Sequence, residues 1–310
     1  MAERPTVAAI DCGTNTVKLL VGALPDVVVR EARMVRLGEG VDRTGALSPA
    51  ALQRTFAALE EYADLLAAHD VSRLRFCATS ATRDATNAAA FADGVEQRLG
   101  VRPEVLTGAE EAALSYAGAV RGLAGLEELV APVLVVDIGG GSTELVLGGP
   151  DLADGVEQAD SLQVGSVRLH ERHLHDDPPS AAQVAACTAD LDGALSGCPV
   201  DVVRARTVVG VAGTVTTVAA GVLGLQAYDR EAIDRAVLGV PEVEEQARRL
   251  LAMPIAERRG LPWLHPGRVD VIGAGALLLS RVLAHADPQR LVVSESDILD
   301  GLALSLLDRT

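Results

Sequence analysis

Two aspartates, Asp11 and Asp137, stand at matching places in two copies of one pattern. VAAIDCGTNTVKLLVG (7–22) returns 126 positions later as VLVVDIGGGSTELVLG (133–148). In each copy an apolar run ends in Asp, passes through a turn of small residues, and gives way to a second apolar run. Such a turn leaves backbone N–H groups facing outward, the arrangement that holds phosphate oxygens. Gly13, Thr14, Asn15 and Thr16 in the first copy, and Gly139, Gly140, Gly141, Ser142 and Thr143 in the second, are therefore candidate phosphate ligands. A carboxylate at a strand end is a hard oxygen donor suited to Mg²⁺, which takes one or two protein carboxylates together with waters and substrate oxygens. Asp11, Asp137 and Glu144 are the metal candidates, and some of the three would act through water. Aspartyl-phosphate chemistry at Asp11 would call for a second Asp two positions on, where Gly13 stands.

The elements that must position these residues are also duplicated. At an offset of 132, VRLGEG (from Val35) falls on VRLHER (from Val167), SPAALQ (from Ser48) on SAAQVA (from Ser180), and ATSAT (from Ala78) on GVAGT (from Gly210). VLTGAEEA at Val105 has a looser counterpart in VIGAGALL at Val271. Each half reads strand, strand, strand, helix, strand, helix, strand, helix, and so long a period marks a duplicated domain rather than a solenoid. Ser48 with Pro49, and Ser180, are helix N-caps. Leu52, Phe56, Leu59, Ala63 and Leu66 form one apolar stripe on the first helix; Val184, Cys187, Leu191 and Leu195 form its equivalent on the second. Glu110 and Glu111 open a helix, where the dipole favours acidic side chains, so at least one of them is expected to cap. With 310 residues the chain exceeds the size of a single core. We expect an N-terminal domain over 1–125 and a C-terminal one over 126–310, with a final helix over 297–310 able to pack back on the first.

Composition narrows the function classes. A net charge of −16 argues against coating nucleic acid or an anionic membrane. A polyanionic ligand would then need local N–H groups, a few arginines and a metal ion. Lys18 is the only lysine. Cys12, Cys77, Cys187 and Cys198 lack metal-site spacing and read as free thiols of a cytoplasmic protein. His170, His173 and His175 sit among acidic and Arg neighbours and read as surface residues. The uncharged stretch 207–228 divides into strand, glycine turn and helix rather than a membrane span, and the N-terminus shows no leader pattern.

DCGTNT at Asp11, ATSATRDATN at Ala78, GAEEA at Gly108, DIGGGSTE at Asp137, GVAGT at Gly210 and SESDILDGL at Ser294 occur in this order. Together they resemble the exopolyphosphatase / guanosine pentaphosphate phosphohydrolase family along essentially the whole chain. The resemblance implies an α/β fold: duplicated ribonuclease-H-like domains, each βββαβαβα, of the actin, heat-shock chaperone and sugar kinase fold group, with the site in the interdomain cleft. It implies that Asn15, Ser80, Arg83 and Gly141 to Thr143 contact substrate phosphates, with Gly213 and Thr214 in the same role. Arg83 suits this because a guanidinium binds phosphate in bidentate fashion and keeps its charge. It further implies that a glutamate of EEA activates the attacking water: Glu111 as general base, with Glu110 capping or supporting it.

Longer members of that family carry further helical domains that this sequence lacks, which points to short polyphosphate or a nucleotide as substrate. The expected reaction is Mg²⁺-assisted removal of the terminal phosphate of inorganic polyphosphate. Guanosine pentaphosphate is the alternative substrate. A non-catalytic polyphosphate or nucleotide sensor, or an ATP-dependent kinase or scaffold of the same fold group, is the alternative of another class. Family habit suggests a homodimer.

Overall fold

The structure is a computed structural model, described here for residues Pro5 to Leu307; residues 1–4 and 308–310, including the end of the expected 297–310 helix, lie outside the described residues. The chain forms two compact units: residues up to Gly118 together with the chain from Ile298, and Ala119–Asp297.

In the first unit, β1 (Val7–Cys12), β2 (Thr16–Ala23), β3 (Asp26–Met34), β4 (Arg73–Ala78) and the two-residue β5 (Glu104–Val105) make a sheet of order β3-β2-β1-β4-β5. In the second, β6 (Val133–Ile138), β7 (Thr143–Gly148), β8 (Val156–Leu162), β9 (Thr207–Val211), β10 (Val237–Gly239) and β11 (Arg290–Val293) pair in the order β10-β11-β9-β6-β7-β8. Without β10 the two orders correspond strand for strand. The repeat extends to register: Asp11 faces Lys18 and Asp137 faces Glu144 across their hairpins. It extends to irregularity as well, since register shifts fall between Val21 and Gly22 and between Leu147 and Gly148. A Cβ at Gly22 would come within 2.3 Å of the Asp26 carbonyl oxygen, so the first bulge requires glycine.

Every residue of β1 is buried because both faces of its sheet are covered. Ala8, Ile10 and Cys12 join the core made with helices Pro49–Ala68 and Ala88–Leu99. Ala9 points the other way, to Ile298, Leu299, Leu302 and Ala303. That last helix, Ile298–Ser305, is tied to the sheet by Arg30 on Asp300, by Arg75 Nη1 on Ser305 Oγ at 2.6 Å, and by Arg73 Nη1 on the Leu306 carbonyl at 2.8 Å.

Both serine caps form: Ser48 Oγ accepts from Ala51 N at 3.1 Å and Ser180 Oγ from Gln183 N at 3.4 Å. The expected stripe on Pro49–Ala68 is out of phase by about one residue. Ala51, Thr55, Ala58, Leu59 and Tyr62 are the buried positions, with Leu52, Phe56 and Leu66 at the margin. Thr55 is tolerated because its hydroxyl donates to the Ala51 carbonyl, and Tyr62 because its hydroxyl donates to the Val17 carbonyl. The pairing of VLTGAEEA with VIGAGALL fails. Val105 ends a strand, whereas Ile272 begins the 15-residue helix Ile272–Ala286. The spatial counterpart of β5 is β11, delayed by the inserted β10 and its helices. The uncharged 207–228 stretch is β9, a tight turn and helix Ala212–Val222, and no helix among the described residues is long and apolar enough to cross a membrane.

Candidate active-site residues

The two glycine turns are held by the same device. In the first, Gly13 N donates to Thr16 O at 2.9 Å. The Asn15 carbonyl accepts from Val35 N (3.0 Å) and Arg36 N (2.9 Å), and the Thr14 carbonyl from Gly38 N (2.8 Å). In the second, Gly139 N donates to Ser142 O at 3.0 Å. The Gly139 carbonyl accepts from Ser166 N (3.0 Å), and the Gly140 carbonyl from Val167 N (2.9 Å) and Arg168 N (3.1 Å). Arg168 Nε takes the Gly141 carbonyl at 2.9 Å. The aligned Val-Arg dipeptides at 35–36 and 167–168 thus do one job, although the second lies in a helix. With their carbonyls tied back, the amides of Thr14, Asn15, Gly140, Gly141 and Ser142 donate to no backbone acceptor among the described residues. Two close approaches make this possible. A Cβ on Gly38 would lie 2.3 Å from Thr14, and one on Gly165 would lie 2.5 Å from Gly140.

Around the first turn the structure gathers most of the expected side chains of that unit. Thr14 Oγ1 and Ser80 Oγ are 3.1 Å apart and both are buried. Arg83 Nη1 donates to the Leu106 carbonyl at 2.8 Å and to Glu111 Oε1 at 2.5 Å, while its Nη2 is buried without a hydrogen-bond partner among the described residues. Glu111 is only 4% exposed. Glu110, one residue earlier, is solvent-facing and closes a capping box. Its Oε2 accepts from Thr107 N and Oγ1, both at 2.8 Å, and its own N–H donates to Thr107 Oγ1 at 3.3 Å. Those Thr107 bonds hold the Glu110 carboxyl below its ordinary pKa. Thr16 Oγ1 is directed to Met34 Sδ at 3.1 Å.

The carboxylates sort unequally between the units. Asp11 Oδ2 lies 3.5 Å from Lys18 Nζ, so the first hairpin brings its own cation to the strand end. In the second hairpin the facing pair is Asp137 and Glu144, both nearly buried, with Ser161 Oγ donating to Glu144 Oε1 at 2.7 Å. Cross-strand partners present their side chains on one face. Two facing carboxylates with one oxygen oriented by a hydroxyl fit Mg²⁺, which needs no third protein ligand when phosphate and water complete its shell. No cluster of three or more His, Cys, Asp or Glu suited to a metal occurs among the described residues. Thr143 is fully buried and donates its hydroxyl to the Val164 carbonyl at 2.7 Å, so it fixes the turn from behind. His173 Nε2 pairs with Asp190 Oδ2 at 2.8 Å, a helix-to-helix contact. All four cysteines are free, and burial pushes the Cys187 thiol up to about 12.

One residue of the second unit escaped the sequence reading. The Arg268 guanidinium lies over Gly213 at the start of helix Ala212–Val222, filling the space a side chain there would need: a Cβ on Gly213 would overlap Arg268 Nη1 at 1.3 Å. No hydrogen bond holds that guanidinium among the described residues. Burial lowers its pKa, while the nearby carboxylates of Glu295 and Asp297 oppose the shift. Behind it, Ala212 adopts a left-handed φ of 64°, a strained conformation for a residue with a side chain. No local motif announces Arg268; the only hint was a glycine where a helix would prefer alanine.

Residues 16–310 match the Ppx/GppA phosphatase family. The chain belongs to that family. Exopolyphosphatase 2 of Mycobacterium tuberculosis is 46% identical to it, over 97% of this chain and 98% of that protein. The solved exopolyphosphatase structure from Cytophaga hutchinsonii matches with a TM-score of 0.88 at 25% identity, covering 98% of each chain. A nucleoside triphosphate hydrolase from Neospora caninum, at 12% identity and TM-score 0.51 over 94% of this chain and 89% of its own, shares the fold alone. The two Ppx/GppA units are thus the duplicated α/β arrangement of the actin, heat-shock chaperone and sugar kinase fold group.

Proposed function

We propose that this protein is an exopolyphosphatase that releases the terminal phosphate of short inorganic polyphosphate by attack of water. The observation that carries the reading is the pair of glycine turns whose carbonyls are tied back and whose amides are left for an anion, together with a buried glutamate held by an arginine. The similarity to mycobacterial exopolyphosphatase 2 supports the substrate class.

In the proposed reaction the amides of Thr14 and Asn15, with Ser80 and the Asn15 side chain alongside, are the phosphate-gripping groups of the first unit, and the amides of Gly140 to Ser142 are those of the second. Arg83 serves twice: Nη1 fixes the Glu111 carboxylate, and the free Nη2 donates to the phosphate under attack. Glu111 removes a proton from water as its oxygen bonds to the terminal phosphorus. The bond from phosphorus to the bridging oxygen breaks, and the shortened chain leaves with that oxygen. Arg268, above the N-terminus of helix Ala212–Val222, adds a further anion-binding group. Mg²⁺ held by Asp137 and Glu144 would screen phosphate charge. Positioning and electrostatics supply most of the acceleration in such transfers. Glu110 caps its helix, and Asp11 is balanced by Lys18. Four free thiols suit a cytoplasmic location.

The deciding assay is phosphate release by the purified protein from tripolyphosphate and from guanosine pentaphosphate, with and without Mg²⁺. Turnover of tripolyphosphate dependent on Mg²⁺ is expected. Preference for the nucleotide would move the activity to the other branch of the family, and release from neither would overturn the reading.

A further inference from the structure

The most deeply buried guanidinium outside the groups already assigned belongs to Arg258, at the end of the short helix Ile255–Arg258 and 3% exposed. Among the described residues its hydrogen bonds go to carbonyls alone: Nη1 to Val269 O at 2.9 Å and Asp270 O at 3.4 Å, Nη2 to Leu251 O at 3.3 Å. Burying a charge against carbonyls without a carboxylate in hydrogen-bond contact is costly, and an apolar side chain of similar volume would fill the space more cheaply. Stability alone therefore does not account for an arginine here.

What the contact supplies is position. Val269 and Asp270 directly follow Arg268, so Arg258 grips the backbone immediately behind that residue. Its other end is anchored at Leu251 in helix Val240–Ala252, whose Val243, Ala247 and Leu250 are core residues. Gly273 makes room for the contact, since a Cβ there would lie 2.9 Å from Arg258 Nη2. On its other side the segment is braced by Gly267 N donating to His265 Nδ1 at 3.0 Å. Bracing is needed, because Arg268 holds a positive charge over a helix N-terminus, where the dipole repels it until an anion arrives.

We propose that Arg258 is a positioning residue that pins the 269–270 backbone and so holds the Arg268 guanidinium over Gly213, ready for a substrate phosphate. This rests on the anion-binding role given to Arg268 above. The test is a double-mutant cycle read by calorimetric binding of tripolyphosphate and by KM and kcat. Arg268→Ala should weaken binding by about tenfold to a hundredfold, the range for loss of a charged hydrogen bond. Arg258→Met should raise KM about three- to tenfold, well above its effect on kcat, and Arg258→Lys should restore part of the loss. In the Arg268→Ala background Arg258→Met should add nothing. Gly273→Ala, which only nudges the guanidinium, should shift KM the same way by less and should also fall silent without Arg268; it carries the test if Arg258→Met fails to fold. Additive losses in the double variant, or an altered melting temperature with unaltered binding, would show Arg258 to be structural and overturn the inference. Wild-type binding without hydrolysis would sink the enzymatic reading while leaving the cycle readable.

Discussion

The two hairpins share strand order, register and bulge, yet differ in charge at one facing pair: Asp11 meets Lys18 in the first and Asp137 meets Glu144 in the second. A lysine at the strand end balances its carboxylate, whereas a glutamate there leaves two carboxylates facing each other. In the proposed reaction that one exchange of charge sign gives two copies of a loop different work. The first unit would offer amides, Arg83 and a base, and the second amides, Arg268 and a carboxylate pair that would hold a cation.

This division of labour can be broken in order of expected effect. Glu111→Gln should lower turnover by about 10²–10⁴-fold, the usual contribution of a general base, while leaving substrate and Mn²⁺ binding intact. Single-turnover kinetics and Mn²⁺ titration read both, and unimpaired turnover would remove Glu111 from its role. Glu144→Lys copies the first hairpin's pair into the second. It should weaken Mn²⁺ binding by at least about 10–100-fold, the loss typical of merely disturbing a ligand's surroundings. Electron paramagnetic resonance with Mn²⁺ checks this without reference to activity. If binding persists, the cation belongs elsewhere. Lys18→Met tests the other side. Removing one member of a buried ion pair costs about 3–5 kcal/mol; with the Lys18 side chain 18% exposed, a value near or below the bottom of that range is expected, read as a fall in melting temperature. An unchanged melting temperature would mean that Asp11 does not depend on its lysine.

The smallest effect is expected at Glu110. Glu110→Gln keeps the capping-box oxygen and loses only its charge at the helix N-terminus, which should cost about 0.3–1 kcal/mol, near the bottom of that range for so exposed a side chain. Its sign with pH is determined by the lowered carboxyl pKa. The contribution is fully present above the unfolded carboxylate value and disappears as pH falls through the folded one. Denaturant midpoints of the two proteins should therefore converge in acid.

What was legible in the sequence follows physical range. The hairpins, their register and the Ser48 and Ser180 caps are local, and a repeat displays them twice. The Thr107-x-x-Glu110 spacing is that of a capping box, yet from the residues alone only at least one of the two glutamates is expected to cap; the bonds to Thr107 single out Glu110. Lys18 was conspicuous as the only lysine, yet its meaning lay in the residue across the hairpin. The counterpart of β5 was misplaced at Val271 because the inserted β10 and its helices break any constant offset, and the glycine- and alanine-rich 271–278 segment resembles a strand-and-turn in composition. The phase of Pro49–Ala68 was misjudged because Thr55 and Tyr62 are polar by type but satisfied by backbone carbonyls. Arg268 comes to lie over the distant Gly213, and Arg258 takes carbonyls 7 to 12 residues away across irregular turns, which no spacing rule reports.

The return of Ile298–Ser305 to the first unit has a consequence for synthesis. Ala9, Leu20, Cys77 and Leu106 leave the ribosome early, but their cover is made only after the whole second unit. At about 5–20 residues per second the intervening Ala119–Asp297 segment takes roughly ten to forty seconds to emerge. Through that interval the nascent first sheet keeps an apolar face bare. A ribosome-stalled chain ending before Ile298 should accordingly bind a hydrophobic dye and chaperones that the completed chain sheds.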